Sequence, residues 1–413
     1  MSNNYKRDYL WNTSGVLLQN LISPLLLIVI AYVNGIADVG VFSFAFATSV
    51  VFWMIGMWGG RTYQVSDINK EHTTNSYIWA RLLLSIAIIV GSLIFCVING
   101  YDTAKTLLIL ALVLFKSIES ISDVFYGVMQ RHDKLYVAGR SLAVKAVLGT
   151  VSFILVDLLT EDILLATLCI VVVNGIVFIS YDLRKTLPLE PIKIGFHYAK
   201  EYSKQAAAVL KVTFPVFIVS FLSIFSLNVP RFFIDRLHES ENAYFGIMAM
   251  PITLILLVMT FILQPNIVAL TRDYKDNKLD TFSKTLRNVA LITTVIGLLI
   301  LIATYLIGDK VLALVFGIDF SGYRLELIVI VLGAVLNAFV AIGVNILTVM
   351  RRFKGLFYTL LFSSIVLVPI SYILVARESI MGGVISFAVV CGLQACVLYV
   401  VYRYSLRNKA QHA

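Results

Sequence analysis

Long, continuously apolar stretches recur from one end of the chain to the other, each of them about 18 residues or longer. A helix of this length crosses the roughly 30 Å hydrocarbon core of a bilayer. The stretches do not alternate polar and apolar residues, so the strands of a membrane β-barrel are not expected. Only 14% of the 413 residues are charged and 59% are hydrophobic, which is too little charge to cover a soluble surface. The sequence therefore predicts an all-α polytopic membrane protein.

About twelve transmembrane helices are predicted. The first follows Lys6 and Arg7 and lacks a small-residue cleavage site, so it is interpreted as a membrane span and not as a signal peptide. The predicted spans cover residues 10–33, 40–58, 77–99, 105–128, 138–158, 162–183, 210–232, 243–269, 288–308, 325–349, 356–375 and 380–402.

The basic residues are distributed unevenly between the two sides of these spans. Most of the 33 Lys and Arg residues lie in the termini or in the connections that follow even-numbered spans. Cytoplasmic loops carry such an excess of Lys and Arg, so both termini are predicted to be cytoplasmic. The connections on the other side are short and leave no room for a folded external domain.

The longest connection divides the chain into two halves. We predict an N-terminal six-helix bundle at residues 1–190, a cytoplasmic amphipathic linker at 191–209 and a C-terminal six-helix bundle at 210–413. A basic stripe in and just after the linker favours a helix lying on the anionic inner leaflet, although a solvated linker is an alternative. The stripe consists of Lys193, His197, Lys200, Lys204 and Lys211.

Weak internal similarities indicate that the two halves arose by duplication. Residues 40–45 and 244–249 open the second and eighth spans with similar sequences, and residues 128–131 and 349–352 close the fourth and tenth. Six spans per half would make the repeats parallel, related by an axis along the membrane normal. A substrate is then expected to bind in a central cavity between the two bundles.

The fourth span carries the strongest local signal for function. Lys116, Glu119, Ser120, Asp123 and Gln130 fall on one side of a helix with 3.6 residues per turn. A charge at the bilayer centre costs about 2.5–3.5 kcal/mol on insertion scales, so this stripe should not face lipid. It could line a wet cavity, with Glu119 or Asp123 coupling transport to a proton or cation. A structural ion-pair seam, with Lys116 and Glu119 paired across three residues, is the alternative.

Cations elsewhere in the spans are further candidates for substrate binding. Arg231 follows Asn228 and Pro230 at the outer end of the seventh span, where its guanidinium could hold a phosphate or could simply anchor the helix at the interface. Arg140 and Lys145 open the fifth span, and Lys145 lies more than one turn inside it.

A simpler interpretation applies to three other arginines, Arg61, Arg81 and Arg236. Arg61 and Arg81 lie at inner span ends, and the rule for membrane orientation explains their position better than a binding role does. Arg236 is interpreted as an anchor at the membrane surface.

Several classes of activity find no support in the sequence. The four cysteines lie within apolar stretches and predict neither disulfides nor a metal site. No phosphate-binding loop, zinc-protease motif or nucleophile elbow is present, so no enzyme activity and no cofactor are predicted. The net charge of +9 is explained by the cytoplasmic loops, and no nucleic-acid partner is expected.

The combined pattern resembles Wzx-type polysaccharide flippases of the multidrug/oligosaccharidyl-lipid/polysaccharide exporter superfamily. The resemblance extends over nearly the whole chain and includes residues 116–130, 228–235 and 244–246. It implies transfer of undecaprenyl-pyrophosphate-linked oligosaccharide units across the bacterial cytoplasmic membrane, through a V-shaped cavity lined by cations. The products would be O-antigen, capsule or exopolysaccharide. By this resemblance, Lys116, Asp123 and Arg231 are placed at the cavity.

Three other functions remain as alternatives. A drug/cation antiporter of the same superfamily should favour a net acidic cavity, whereas cations and acids are mixed here. A membrane glycan polymerase or ligase would normally carry a large external loop, and a non-transporting scaffold would not need charges within the membrane. The expected partners are the lipid-linked glycan, membrane lipids, H⁺ or Na⁺ as a coupling ion, and other polysaccharide-assembly proteins.

Overall fold

The computed structural model describes residues 3–67, 71–193 and 195–411. Within these ranges the chain is almost entirely helical and contains no strand, which confirms the all-α prediction.

Twelve long helices account for most of the described residues. They are α1 (Asn3–Val33), α2 (Ile36–Met57), α3 (Thr74–Asn99), α4 (Thr103–Arg131), α5 (Leu135–Thr160), α6 (Ile163–Val177), α7 (Phe196–Leu237), α8 (Met250–Lys275), α9 (Leu279–Ala303) and α10 (Arg324–Val349). The last helical stretch, Phe353–Gln411, is interrupted at Ser379 by non-helical torsion angles, which separates α11 (353–378) from α12 (380–411). Shorter helices follow α2 (Gly60–Ser66), precede α8 (Asn242–Met248) and extend α9 (Asp309–Phe316).

These helices correspond to the predicted membrane spans. Ten helical stretches of the described residues are long and apolar enough to cross a bilayer, and one of them contains both α11 and α12. α4 is not among the ten, and its central turns carry Lys116, Glu119 and Asp123. With α4 and the division at Ser379, the prediction of about twelve transmembrane helices is confirmed.

The chain forms two compact units, Met1–Ile224 and Phe225–Ala413. The first contains α1–α6 and the beginning of α7, and the second contains the rest of α7 and α8–α12. The boundary falls inside α7, whereas the sequence places the connection between the bundles at residues 191–209.

Most of that predicted linker forms the first turns of α7. Ala206 and Val209 are buried in a hydrophobic cluster with Tyr77 of α3 and Phe125 of α4, so this part of α7 packs on the first unit. The basic residues Lys200, Lys204 and Lys211 are exposed. Their contact with anionic lipid remains a prediction.

In the first unit, α1 and α5 run parallel and pack at very short range. The carboxylate of Asp8 accepts a hydrogen bond of 3.0 Å from the backbone N–H of Tyr136 at the start of α5. A Cβ atom added at Gly139 would lie 2.4 Å from the carbonyl oxygen of Trp11, and one added at Gly15 would lie 2.4 Å from the carbonyl oxygen of Gly139. Glycine at these two positions therefore lets the helix backbones touch.

α4 occupies the centre of the first unit, because it packs against α2, α3 and α6. Its side chains are buried along most of the helix, including those of Lys116, Glu119 and Asp123. This burial explains how a helix with three charges in its middle turns can be placed within the membrane: the charges face other helices and not lipid.

In the second unit, α10 packs against α8, α9 and the long stretch that forms α11 and α12. The hydroxyl groups of Ser226 on α7 and Ser364 on α11 are 3.0 Å apart and buried. The break between α11 and α12 lies beside Glu241, whose carboxylate accepts a hydrogen bond from the Ser379 hydroxyl. This carboxylate also accepts the backbone N–H of Ile380 at 3.4 Å.

Candidate functional site

The middle of α4 carries a buried ion pair. Lys116 Nζ is 2.7 Å from Glu119 Oε2, which confirms the pairing predicted across three residues. Gln19 of α1 donates a hydrogen bond of 2.9 Å to the other carboxylate oxygen of Glu119. The Lys116 ammonium also lies 4.7 Å from the ring centre of Phe115 and 5.0 Å from that of Phe46, where cation–π attraction stabilises it.

One helical turn further along α4, two guanidinium groups contact a single carboxylate. Arg81 is 3.2 Å from Asp123 Oδ2, and Arg61 is 3.4 Å from Asp123 Oδ1. Arg61 also donates two hydrogen bonds, of 3.1 and 3.2 Å, to the side-chain oxygen of Gln130. Arg81 is buried and donates to the carbonyl groups of Gly56 and Met57 at the end of α2. The cluster therefore holds two positive charges and one negative charge.

Arg61 is the accessible member of this cluster, with a side chain 25% exposed against 3% for Arg81. It belongs to the short helix Gly60–Ser66, which follows a left-handed residue at Trp58 (φ 42°). The Trp58 ring stacks on Phe217 of α7 with ring centres 3.7 Å apart, and its indole N–H donates to the carbonyl of Leu210 at 2.9 Å. The turn that carries Arg61 is thus fixed against α7.

A second buried ion pair joins α5 to the segment that follows α6. Lys145 Nζ is 2.5 Å from Asp182 Oδ2, 2.6 Å from the hydroxyl of Ser122 and 3.2 Å from that of Tyr126. Asp182 is 0% exposed and lies in a π-helical segment, Phe178–Leu183. Because the ammonium group is surrounded by these oxygens, Lys145 is not open to a substrate in this conformation.

A small polar cavity lies between the Lys116–Glu119 and Lys145–Asp182 ion pairs. Its volume is about 20 Å³ and it is lined by Gln19, Glu119, Tyr126, Lys145 and Asn174, among others. This volume is sufficient for a water molecule, and the polar lining offers it hydrogen-bond partners. It is far too small for a sugar, so the cavity is suited to water or protons.

Arg140 has different neighbours from Lys145, although it lies only five positions earlier in the sequence. It is exposed, and its guanidinium carbon is 4.8 Å from the ring centre of Trp11 and 5.3 Å from that of Tyr136. Arg7 stacks on the same Tyr136 ring at 3.7 Å. This group of aromatic rings and guanidinium groups lies at the start of α1 and α5.

The candidates of the seventh span lie in the second unit. Arg231 is half-buried on α7, and its guanidinium carbon is 5.5 Å from the ring centre of Phe245. Asn228 is also half-buried, one turn earlier. Asp235, one turn later, accepts a hydrogen bond of 3.0 Å from the side chain of Asn242. The substrate-binding roles of Arg231 and Asn228 remain predictions.

A further polar cluster, which the sequence did not predict, forms at the end of α4. Glu190 accepts hydrogen bonds of 3.1 Å from Arg131 and 3.0 Å from His132. The hydroxyl of Thr74, at the start of α3, also donates to this carboxylate. Burial opposes ionisation of Glu190, but these partners together hold the pKa of its carboxyl below the ordinary value. The connection after α6 is thereby attached to α3 and α4.

The surroundings of Arg61 and Arg81 go beyond the interpretation of both as signals of membrane orientation. Both side chains contact Asp123. The sequence does contain a signal for these contacts. An aspartate within a span requires a cationic partner, and the neighbouring span ends supply these two arginines.

The chain is similar in sequence to a capsular polysaccharide protein and in fold to a lipid II flippase. The capsular polysaccharide biosynthesis protein CapF of Staphylococcus aureus is 24% identical over 376 residues, which cover 90% of this chain and 93% of the relative. The lipid II flippase MurJ in an inward closed conformation has the same fold, with a TM-score of 0.68, 13% identity, and coverage of 94% of this chain and 86% of that chain.

The fold is shared with transporters of another kind. The MATE transporter VcmN of Vibrio cholerae gives a TM-score of 0.65 at 11% identity, with 98% of each chain covered. At such identities the solved structures establish the fold alone. The sequence match to the family described as "Polysaccharide biosynthesis protein" extends over residues 5–264, more than half of the chain. With twelve membrane helices and buried charges on α4, the chain therefore belongs to this polysaccharide biosynthesis family, as its resemblance to Wzx-type flippases predicted.

Proposed function

We propose that this protein flips a polyprenyl-pyrophosphate-linked oligosaccharide, with undecaprenyl as the expected lipid, from the cytoplasmic to the outer leaflet by alternating access. The product would be used for O-antigen, capsule or exopolysaccharide assembly. Family membership and the capsular relative CapF support the glycan pathway. MurJ, which has the same fold, is a lipid II flippase.

The observation that carries the proposal is the charge of the Asp123 cluster. Two guanidinium groups share one carboxylate, and the more accessible of them, Arg61, has N–H donors beyond those that bond Gln130 and Asp123, which are available to a phosphate. The cluster lies near the end of α4 that is predicted to be cytoplasmic, where a lipid-linked glycan would first present its pyrophosphate. Arg61 is therefore our first candidate for a phosphate contact.

Export of organic cations is the second candidate function, because MATE transporters share the fold. The charge of the first unit argues against it. The excess positive charge of Arg61 and Arg81 would repel a cationic drug, whereas it would attract a pyrophosphate. Lys116 and Lys145 neutralise Glu119 and Asp182, so these two carboxylates offer no net negative charge to such a cargo.

Replacing Arg61 by Ala is expected to reduce the rate of flipping by about tenfold, since a hydrogen bond to a charged group contributes about 1.5–3 kcal/mol. Arg61→Lys should be intermediate, because it keeps the charge but loses the planar pair of donors. The fold should persist, since Arg81 still pairs with Asp123. The measurement is leaflet-resolved quantification of the lipid-linked precursor in cells that depend on this chain for the glycan.

The matched control for this experiment is Arg272→Ala. Arg272 is exposed near the end of α8, on the side that is also predicted to be cytoplasmic. At equal abundance the control should behave as the wild type. An unchanged distribution of precursor in Arg61→Ala would remove Arg61 from the binding site, and equal defects in both variants would indicate an effect of total surface charge.

The proposed membrane orientation has its own test. Cysteines introduced at positions 37, 160 and 239 should react with an impermeant thiol reagent added outside intact cells, because the distribution of Lys and Arg predicts that these connections lie outside. Cysteines at 133, 275 and 353 should react only after the membrane is permeabilised. The reverse pattern would show that the termini face the outside.

A further inference from the structure

At the end of the first unit that is predicted to face outside, an acid and an amide side chain form a pair in which two oxygens have no hydrogen-bond partner. Asn34, which follows α1, donates a hydrogen bond of 3.2 Å from its side-chain nitrogen to Asp157 Oδ1 on α5. Asp157 is 0% exposed. The remaining oxygen of each side chain, Asn34 Oδ1 and Asp157 Oδ2, is buried and has no hydrogen-bond partner.

A single proton on Asp157 would satisfy both oxygens. A protonated carboxyl group has one O–H donor, and the amide oxygen of Asn34 is an acceptor without a donor. The two side chains would then form a cyclic pair in which Asn34 donates to one carboxyl oxygen and the other carboxyl oxygen donates to Asn34. An ionised Asp157 would instead be a buried anion with one amide donor, which is a costly arrangement.

The charges around this pair also favour the proton. Asp38 on α2 and Glu161 and Asp162 in the connection after α5 act on Asp157 as like charges. Glu161 and Asp162 are exposed, whereas Asp157 is enclosed. Among the described residues, no cationic side chain forms an ion pair with Asp157.

We propose that Asp157 is a proton-binding site which closes the outer end of the first unit through its cyclic pair with Asn34, and that H⁺ is the ion that this protein couples to transport. The coupling role rests on the proposed flippase function and orientation, while proton binding itself does not. Asn34 stands directly before Gly35, whose φ of 92° turns the chain from α1 into α2. Loss of the proton would remove one hydrogen bond and add an anion beside Asp38. The connection between α1 and α2 would then be released from α5.

Infrared spectroscopy of the full-length protein in lipid nanodiscs tests the protonation directly. At neutral pH the wild type should show a C=O stretching band of a protonated carboxyl that is missing in Asp157→Asn. The Asn side chain preserves the cyclic pair, because an amide can donate and accept in the same positions. Glu161→Gln, an exposed acid four residues away, should keep the band. A spectrum without this difference between wild type and Asp157→Asn overturns the proposal.

The conformational part is tested by the labelling rate of a cysteine at the buried position 39, divided at each pH by the rate of a cysteine at the exposed position 37, so that ionisation of the thiol cancels. In the wild type this ratio should rise by about tenfold as the external pH is raised, which corresponds to about 1.4 kcal/mol. In Asp157→Asn the ratio should stay low at every pH. A pH dependence that survives in Asp157→Asn would assign the closure to another group.

Asn34→Asp provides a second variant in case Asp157→Asn folds poorly. Two carboxyl groups at this distance should share one proton and hold it to higher pH, so the labelling transition should move upward in pH. A transition that does not move, or moves downward, contradicts the cyclic pair. Both readouts are independent of glycan transport: normal protonation with no effect of pH on flipping would leave the site intact and refute only its coupling role.

Discussion

Lys145→Met is expected to lower the free energy of unfolding by about 3–5 kcal/mol, the usual effect of removing one member of a buried ion pair. Asp182 would be left as a buried carboxylate, since its 2.5 Å contact with Lys145 is its only ion pair within the described residues. The measurement is the thermal unfolding midpoint of the purified protein in detergent, together with its abundance in the membrane.

The double variant Lys145→Met with Asp182→Leu shows whether the loss of stability comes from the unpaired charge of Asp182 or from the lost packing of Lys145. Replacing both partners by apolar residues should restore most of the stability, because no buried charge is left uncompensated. Lys185→Ala, which removes an exposed cation close to Asp182 in the sequence, is the matched control and should leave the midpoint unchanged. If the double variant is as unstable as Lys145→Met, packing of the lysine side chain and not its charge is the main contribution.

Gly139→Val should be the most damaging substitution of a small residue in the first unit. A Cβ atom at Gly139 would lie 2.4 Å from the carbonyl oxygen of Trp11 and 2.5 Å from the backbone nitrogen of Asn12. These are backbone atoms, so α1 and α5 must separate to admit the side chain. Overpacking typically lowers stability by about 1–3 kcal/mol, and an effect at the upper end of this range is expected here.

Gly175→Ala on α6 is the control for that experiment. The nearest atom to a Cβ at this position is Ile118 Cδ1 at 3.9 Å, an ordinary van der Waals distance. Its unfolding midpoint should equal that of the wild type or exceed it slightly, because Ala favours a helix more than Gly does. Equal midpoints for Gly139→Val and the wild type would show that α1 can move away from α5 without loss.

The features that could be predicted from the sequence are those that depend on neighbouring residues along the chain. Apolar length predicts the helices, and the spacing of Lys116 and Glu119 predicts their ion pair. The period of the α4 stripe also predicts that its charged residues face other helices, as their burial confirms.

Contacts between residues that are far apart in the sequence do not follow from these local patterns. Nothing in the local pattern assigns Asp182 to Lys145, because a π-helical segment changes the direction in which Asp182 points. The contact of Arg61 with Asp123 depends on the left-handed residue at Trp58, which periodicity does not reveal. The continuous helix of α7 was also missed, since the basic residues near its start suggested a separate segment.

The stacking of Trp58 on Phe217 has a thermodynamic consequence. The turn that holds Arg61 and the first half of α7 share one rigid aromatic contact and one indole hydrogen bond, so neither can be displaced without changing the other. A ligand that binds Arg61 more tightly in one position of α7 must shift the equilibrium toward that position, and the position of α7 must change the ligand's affinity by the same factor. Phosphate recognition and helix movement would then be reciprocal effects of one free energy of coupling.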